Sequence, residues 1–233
     1  MCEIGGRLDA LNWERIDADL DEFGVARLGK VLSPAVCEDL AASYDTGKFR
    51  SRVVMARHGF GSGEYQYFDA PLPEAVAALR QSAYPHAART ANRWAARLGR
   101  EGFPETLTEM LALCHEAGQL KPTPLLLKYG AGDYNCLHQD LYGAVAFPLQ
   151  LVVLLSDPAD FDGGEFVMTE QRPRMQSRAE VVALGQGEAA LFTTSERPRR
   201  GTRGDYRVNM RHGVSRLRRG TRMTLGVIFH DAA

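Results

Sequence analysis

The second half of the chain contains short apolar or alternating runs separated by turn residues, and this pattern constrains the fold more than any other feature. The runs are PLLLKYG, FPLQLVVLLSD, GEFVMTE, AEVVAL, EAALFTT, YRVNMRHGV and RMTLGVIFH. Turn residues such as Asp-Gly-Gly and Arg-Gly lie between them. With a strand at NCLHQD, they give about seven or eight strands in roughly 110 residues. Evenly spaced short strands are typical of a β-sandwich or barrel.

The first half has the periodicity of helices. A Ser-Pro pair at 33–34 provides an N-cap and a first helical residue for a helix through VCEDLAASYD. PEAVAALRQSAY and HAARTANRWAARLG carry apolar residues three and four apart, and Pro85 is expected to interrupt them. Another helix is predicted to start on Pro104 and to stop at Gly118. Residues 50–68 are predicted to form a short strand and a glycine-rich loop.

Helices followed by strands indicate an α+β fold in which the helical half buttresses one face of the sheet. The 233 residues, 45% of them hydrophobic, can bury one sizeable core. We therefore predict a single compact unit over 1–233, with a mainly helical preface (1–119) and a β-rich core (120–233). No apolar run approaches the roughly 18 residues of a membrane span, so no membrane association is expected.

Charge is distributed unevenly along the chain. Residues 1–45 contain ten Asp and Glu against four Arg and Lys, whereas residues 171–222 contain thirteen Arg against four Asp and Glu. The planar guanidinium suits phosphate and carboxylate groups, so this segment could contact an anionic partner. A solvated arginine-rich face is the alternative. The four scattered cysteines and the absence of a visible secretory signal indicate a reduced, cytoplasmic protein. No protein partner is inferred.

The segment NCLHQD places an imidazole and a carboxylate one residue apart. On a strand, His138 and Asp140 point to the same side, and Gln139 faces away. A polar pair at a strand end is the simple alternative to a metal site. A third ligand would have to come from His58, His86, His115, His212 or His230. His212 is favoured because it lies on a β-run, 72 residues after Asp140.

Two histidines and one carboxylate on one face form the metal-binding triad of non-haem Fe(II) oxygenases. Arg222 follows His212 by ten residues, and on a strand it shares a face with Thr224 and Gly226. A buried arginine needs an anionic partner. A dicarboxylate cosubstrate would supply one, and Gly226 would leave room for it.

This order of residues resembles that of the 2-oxoglutarate/Fe(II)-dependent dioxygenases. Tyr129 in KYGAGDYNCLHQD is similar to the Tyr-x-x-Gly lead-in of prolyl hydroxylases and AlkB-type enzymes. FDGGEF (161–166) resembles the Gly-Gly-Glu strand of prolyl hydroxylases, and GEAALF (187–192) resembles the strand before the distal histidine. The resemblance covers about residues 120–232. It implies a double-stranded β-helix (jelly roll) core.

The resemblance also implies ligands and cofactors. His138, Asp140 and His212 would bind Fe(II). Arg222 would hold the distal carboxylate of 2-oxoglutarate, helped by Thr224 or Tyr129. Dioxygen would be the cosubstrate, and ascorbate is a candidate stimulant.

Several phrases resemble one bacterial group of that superfamily, described as oxygenases of damaged (alkylated) DNA. They are KPTPLLLKYG, NCLHQDLYG, FPLQ, GGEFVMTEQRPRMQSR and RHGVSRLRRGTR. The predicted reaction is therefore hydroxylation or oxidative demethylation of alkylated DNA or another nucleic acid. Candidate substrate residues are Arg57, Tyr65, Tyr67, Gln139 and Tyr142. Alternatives are a prolyl-type protein or small-molecule hydroxylase, favoured by the Arg222 spacing, and a non-catalytic metal-binding sensor.

Overall fold

The computed structural model describes residues 2–141 and 143–233, and within them the chain forms five α-helices and fourteen β-strands. The helices are α1 (Cys2–Asp9), α2 (Trp13–Phe23), α3 (Pro34–Ala42), α4 (Glu74–Arg97) and α5 (Leu107–Glu116). The strands are β1 (Val25–Lys30), β2 (Phe49–Val54), β3 (Gly61–Ser62), β4 (Glu64–Phe68), β5 (Leu125–Gly130), β6 (Tyr134–His138), β7 (Leu149–Leu154), β8 (Phe161–Gly163), β9 (Phe166–Gln171), β10 (Arg178–Val182), β11 (Glu188–Thr193), β12 (Glu196–Gly201), β13 (Gly204–Val214) and β14 (Leu217–Ile228).

The strands form two antiparallel sheets. The larger has the order β1-β11-β7-β14-β5-β4-β2, with β8 paired to β14. The smaller has the order β10-β9-β13-β6-β3, with β12 paired to β13. From β5 onward the chain passes repeatedly between them: β5, β7, β11 and β14 lie in the larger sheet, and β6, β9, β10 and β13 lie in the smaller one. This alternation is that of a double-stranded β-helix, so the predicted fold class is confirmed.

Clusters of buried hydrophobic residues lie on both faces of the larger sheet. On the outer face, side chains of α1, α2, α4 and α5 pack against alternate residues of the sheet, such as Leu151 on β7 and Leu225 on β14. Between the sheets, Val152, Phe192 and Met210 belong to a second cluster. The helices therefore buttress one sheet, as predicted, and the other face of that sheet is left to line the interior.

Two predicted helix boundaries are wrong. Pro85 does not interrupt α4, because it lies on the exposed face with Gln81, so water can reach the carbonyl that the proline ring leaves unpaired. Helix α5 does not start on Pro104. Thr106 is its N-cap, and Thr106 and Glu109 form a capping box that satisfies two of the otherwise unpaired N–H groups at the helix start.

The first half of the chain also contributes strands to the larger sheet. Strand β1 pairs with β11 at one edge, and β4 pairs with β5 towards the other, followed by β2. The glycine-rich region 50–68 is thus mostly strand rather than loop. Among the described residues, no helix is long and apolar enough to cross a membrane.

Candidate metal centre

Two histidines lie side by side on adjacent strands of the smaller sheet. His138 ends β6, and His212 lies near the end of β13 as its cross-strand partner. The ring centroids are 4.3 Å apart. Gly213 permits this approach, since a Cβ there would lie 2.6 Å from the Asn135 carbonyl oxygen. The absence of a side chain at Gly213 therefore lets the two strands bring the imidazoles together.

Asp140 completes the cluster from the residues just after β6. Its carboxylate oxygens lie 3.4 Å from His138 Nε2 and 3.3 Å from His212 Nε2. The ligand atoms of the three residues all lie within 4.8 Å of one another. His138 Nδ1 lies 2.8 Å from the Cys136 carbonyl and can donate to it, which orients the ring with Nε2 towards the cluster.

The electrostatics keep the carboxylate ionised. Burial alone would raise the pKa of Asp140, but the charge and hydrogen bonds of the two histidines hold this pKa well below its usual range. Burial lowers the pKa of His212, although Asp140 opposes that effect. A metal ion binds an imidazole through a nitrogen that carries no proton, so at this site it would replace the protons of the histidines beside an ionised carboxylate.

The other histidines have different surroundings. His86 stacks on Trp13, with ring centroids 4.2 Å apart, and it contacts Asp9. His115 contacts Asp231, His58 stacks on Phe60, and His230 accepts a hydrogen bond from the Phe147 N–H. Within the described part of the chain, His212 is thus the histidine that joins His138 and Asp140.

Arg222 lies on β14 in the same cavity as the triad. This cavity, of about 370 Å³, is lined by His138, Asp140 and His212 together with Arg222 and Thr224. Arg222 is only 4% exposed, and among the described residues its Nη1 has no hydrogen-bond partner. Burial lowers the pKa of Arg222, partly offset by the nearby Tyr129 and Glu165. A guanidinium always carries its charge in proteins, so this site is suited to an anion.

The second glycine of the Gly-Gly pair at 163–164 packs against the side chain of Arg222. Gly164 adopts φ +68°, and a Cβ there would lie 2.9 Å from Arg222 Cδ. Any side chain at this position would press on the arginine stem and would adopt an unfavourable backbone conformation. The Glu165 carboxylate accepts a hydrogen bond from the Ser215 hydroxyl.

The predicted cosubstrate helpers differ in position. Thr224 shares a face with Arg222 and lines the cavity. Tyr129 is the cross-strand partner of Arg222 on β5, fully buried, with its ring centroid 5.9 Å from the guanidinium carbon. The Asn135 amide donates to the Tyr129 hydroxyl at 3.5 Å. The cosubstrate role of both residues remains a prediction.

The predicted substrate residues are only partly brought together. Tyr65 and Tyr67 line the cavity from β4, with ring centroids 5.5 Å apart. Gln139 also lines it, but its amide nitrogen donates to the Ser195 and Met210 carbonyls, so this group faces the wall. Arg57 is exposed on the segment before Phe60. Tyr142 lies outside the described residues.

Several lining residues were missed by the sequence analysis. Phe60 and Leu137 line the cavity while remaining 48% and 45% exposed, so they belong to its mouth. Gln150 on β7 and Asn135 on β6 also line the cavity. Gln150 had a visible signal, because it is the single polar residue in the run PLQLVVLL.

A family model and close relatives match this chain. Residues 63–232 match the family described as "Oxygenase, catalysing oxidative methylation of damaged DNA". An uncharacterized protein of Mycobacterium tuberculosis (strain CDC 1551) is 51% identical over 209 residues, which is 89% of this chain and 87% of that protein.

Solved structures with low identity share the fold. A prolyl hydroxylase from Trichoplax adhaerens, solved with a peptide of a hypoxia inducible factor, has a TM-score of 0.57 at 14% identity, covering 92% of this chain and 86% of that chain. An oxidoreductase of the 2OG-Fe(II) oxygenase family from Burkholderia pseudomallei has a TM-score of 0.53 at 15% identity, covering 95% and 93%. These likenesses confirm the double-stranded β-helix predicted for the core.

Proposed function

The chain belongs to the family of oxygenases described as catalysing oxidative methylation of damaged DNA, and from that premise we propose that it uses Fe(II) and 2-oxoglutarate to hydroxylate or oxidatively demethylate an alkylated nucleic acid. The observation that carries the proposal is the sharing of one cavity by the His138–Asp140–His212 cluster and the unpaired, buried Arg222.

The residues present fit both groups. Two imidazoles and one carboxylate form the donor set of non-haem Fe(II) oxygenases, and their ligand atoms are close enough to share one ion. The orphaned Nη1 of Arg222 fits a carboxylate, which guanidinium groups bind through paired hydrogen bonds. A 2-oxoglutarate molecule has a carboxylate for Arg222 and a 2-oxo acid group that can chelate a metal.

In this mechanism the chain binds the metal and the cosubstrate, orients the substrate and keeps water out of the cavity. His138 and His212 would hold the metal through Nε2, and Asp140 would hold it through a carboxylate oxygen. Arg222 and Thr224 would hold the distal carboxylate. When bound, Fe(II), 2-oxoglutarate and dioxygen supply the oxidising power that converts a substrate C–H bond to C–OH, with release of succinate and CO2. A hydroxylated N-methyl group then loses formaldehyde, which completes a demethylation.

Surface features support a nucleic acid as the substrate. Among the described residues, several exposed arginines have no carboxylate within 4.0 Å: Arg57, Arg174, Arg203, Arg211, Arg216 and Arg219. At the cavity mouth, exposed Phe60 stacks on His58, with ring centroids 5.3 Å apart. Arginines without an internal partner and exposed aromatic rings are the usual means of holding phosphates and stacking bases.

Hydroxylation of a protein side chain or a small molecule is the alternative. It is favoured by the position of Arg222, which follows His212 by ten residues, a spacing that resembles that of prolyl hydroxylases. A metal-binding sensor without turnover is the second alternative. An unpaired Arg222 argues against it, because a sensor needs no cosubstrate site.

Cofactor binding can be tested without any substrate. Under anaerobic conditions, Fe(II) plus 2-oxoglutarate should give a metal-to-ligand charge-transfer band in the wild type. Asp140→Ala should lose the band because the site loses its anionic ligand. If the wild type shows no band, the assignment of Fe(II) and 2-oxoglutarate is wrong.

The substrate class needs a separate test. We expect methylated single-stranded oligonucleotides to stimulate succinate formation, whereas peptides and free amino acids should not. Binding of the oligonucleotide should weaken steeply with salt, because arginine–phosphate contacts release counterions. Stimulation by peptides alone would favour the prolyl-type alternative, and succinate formation that no candidate stimulates would remove the nucleic acid proposal.

A further inference from the structure

Gln150 is a polar residue in the middle of the larger sheet. It lies on β7, between β14 and β11, where its register partners are Ile228 and Phe192. The odd-numbered residues of β7 pack under the helices, so Gln150 belongs to the face that lines the cavity. Central strands are normally apolar, and an amide in such a strand calls for a reason.

The side-chain amide of Gln150 has a hydrogen-bond donor without an acceptor among the described residues. Gln150 is 5% exposed, and its Nε2 has no hydrogen-bond partner among the described residues. Leaving a buried donor unpaired costs about 1–3 kcal/mol. Gln66 on β4 offers a contrast, because its Nε2 donates to the Tyr44 carbonyl at 2.7 Å.

The donor lies far from the site for the cosubstrate. Arg222 and Ile228, the partner of Gln150, are six residues apart on β14, which corresponds to roughly 20 Å along a strand. A five-carbon dicarboxylate anchored at Arg222 is much shorter than this separation. Gln150 is instead one strand from Phe192, whose ring centroid lies 4.8 Å from that of His212. Gln150 is therefore the cross-strand neighbour of a ring that packs on His212, and its place in the sheet is remote from the carboxylate anchor.

The surrounding wall suits a flat ring. Tyr65 and Tyr67 line the cavity from β4, and Phe166 and Phe192 line it from the smaller sheet and from β11. Enzymes that act on nucleobases enclose the extruded base between aromatic side chains and read its edge by hydrogen bonds. Glutamine is one of the side chains that makes such contacts with bases.

We propose that Gln150 is a specificity-determining residue, which donates a hydrogen bond from Nε2 to an acceptor atom on the edge of an alkylated nucleobase held among these aromatic rings. The proposal rests on the proposed function, because it places the substrate base in the same cavity as the metal cluster. The acceptor would be a carbonyl oxygen or an unsubstituted ring nitrogen.

Two leucine substitutions test the unused donor without any ligand. Gln150→Leu keeps a similar volume and removes an unpaired polar group, so the melting temperature of the ligand-free protein should stay the same or rise. Gln66→Leu, the matched control, removes a satisfied hydrogen bond and leaves the Tyr44 carbonyl unpaired, so its melting temperature should fall. A clear loss of stability in Gln150→Leu would assign the amide a structural role and overturn the proposal.

Activity and binding then test the recognition itself. The KM for 2-oxoglutarate and the rate of succinate formation without substrate are measured first for both proteins, because a raised KM would assign Gln150 to the cosubstrate. With a methylated single-stranded oligonucleotide, its stimulation of succinate formation should fall at least about tenfold, the effect of one lost hydrogen bond worth about 1.4 kcal/mol. Fluorescence anisotropy with the metal-free protein should show weaker binding of the methylated oligonucleotide by the variant, whereas an oligonucleotide with an abasic site in place of the methylated base should bind wild type and variant equally.

The outcomes separate the two proposals. If the oligonucleotide stimulates wild type and Gln150→Leu equally, base recognition by Gln150 is wrong while the proposed function stands. If the variant raises the KM for 2-oxoglutarate and keeps the same stimulation ratio, Gln150 serves the cosubstrate and the proposal also fails. If the wild type is not stimulated, the nucleic acid function fails and the role of Gln150 fails with it.

Discussion

Arg197 and Arg222 are both buried, but their guanidinium groups have opposite surroundings. Arg197 is fully buried on β12, where it contacts the Glu170 carboxylate and donates to the carbonyls of Asp21 and Glu22 near the end of α2. In the region described here, Arg222 has neighbours in Tyr129 and Thr224 but no ion pair. One cation is neutralised within the protein, and the other is left for a ligand.

The difference shows how to interpret the arginine-rich segment. Part of its charge is used internally, because Arg178 and Arg199 each lie within 4.0 Å of the carboxylates of Glu22 and Glu170. The acidic first residues and the basic later residues are thus partly partners of each other. Arginine content alone therefore indicates neither structure nor binding, and the number of partners around each guanidinium decides between them.

The largest expected effect is on folding, from Arg197→Leu. It should lower the free energy of unfolding by about 3–5 kcal/mol, because it removes one partner of a buried ion pair and two bonds to helix carbonyls. Urea denaturation would measure this loss. Arg199→Leu, with a more exposed side chain, should lose only about 1 kcal/mol. Equal losses in both variants would contradict the structural role assigned to Arg197.

Arg222→Leu should affect binding instead. Loss of the guanidinium should raise the KM for 2-oxoglutarate about 100-fold, which corresponds to about 2.7 kcal/mol. The free energy of unfolding of the ligand-free protein should stay the same or increase, since an unpaired buried charge is removed. Arg222→Lys should give an intermediate KM, because an ammonium lacks the planar fork. A large loss of stability with an unchanged KM would show that Arg222, like Arg197, has a structural role and does not bind the cosubstrate.

His230 is a third buried basic side chain, and its surroundings favour the neutral form. Burial, with the nearby Arg80, lowers its pKa from 6.5 to about 4. Between these values the unfolded chain binds a proton that the folded protein does not, so this contribution to stability is complete above pH 6.5 and is lost as the pH falls towards 4. The loss should reach up to roughly 3 kcal/mol.

Urea denaturation across this pH range, compared with His230→Gln, measures the contribution. The variant should have a flatter pH dependence between these values, although other groups titrate in both proteins. If both proteins lose stability in parallel, His230 is not the group responsible.

The ligand cluster and the fold class could be predicted because each depends on local patterns. His138 and Asp140 are two residues apart, so strand geometry alone places them on one side. Arg222 was assigned to the interior by the same alternation. The period of a strand and the chemistry of the donor atoms were enough for these placements, whereas the full ligand set and the double-stranded β-helix were implied by the resemblance to the 2-oxoglutarate/Fe(II)-dependent dioxygenases.

The features that were missed depend on contacts between distant segments. Whether Pro85 breaks a helix depends on which face meets water, and that depends on the packing of α4. Strand β1 belongs to the larger sheet because it pairs with β11, which lies more than 150 residues later in the sequence. Gln150 interrupts an apolar run, but whether its amide is paired or free can be decided only once the opposite wall is known.

The cross-strand pairing of His138 with His212 also limits where the chain can change in length. Inserting one residue within β6 would turn His138 to the opposite face of the sheet and remove it from the cluster. An extra residue in the turn between β12 and β13 would leave the pairing intact. The spacing between His138 and Asp140 therefore cannot change, whereas the 71 residues between Asp140 and His212 can lengthen or shorten in their loops.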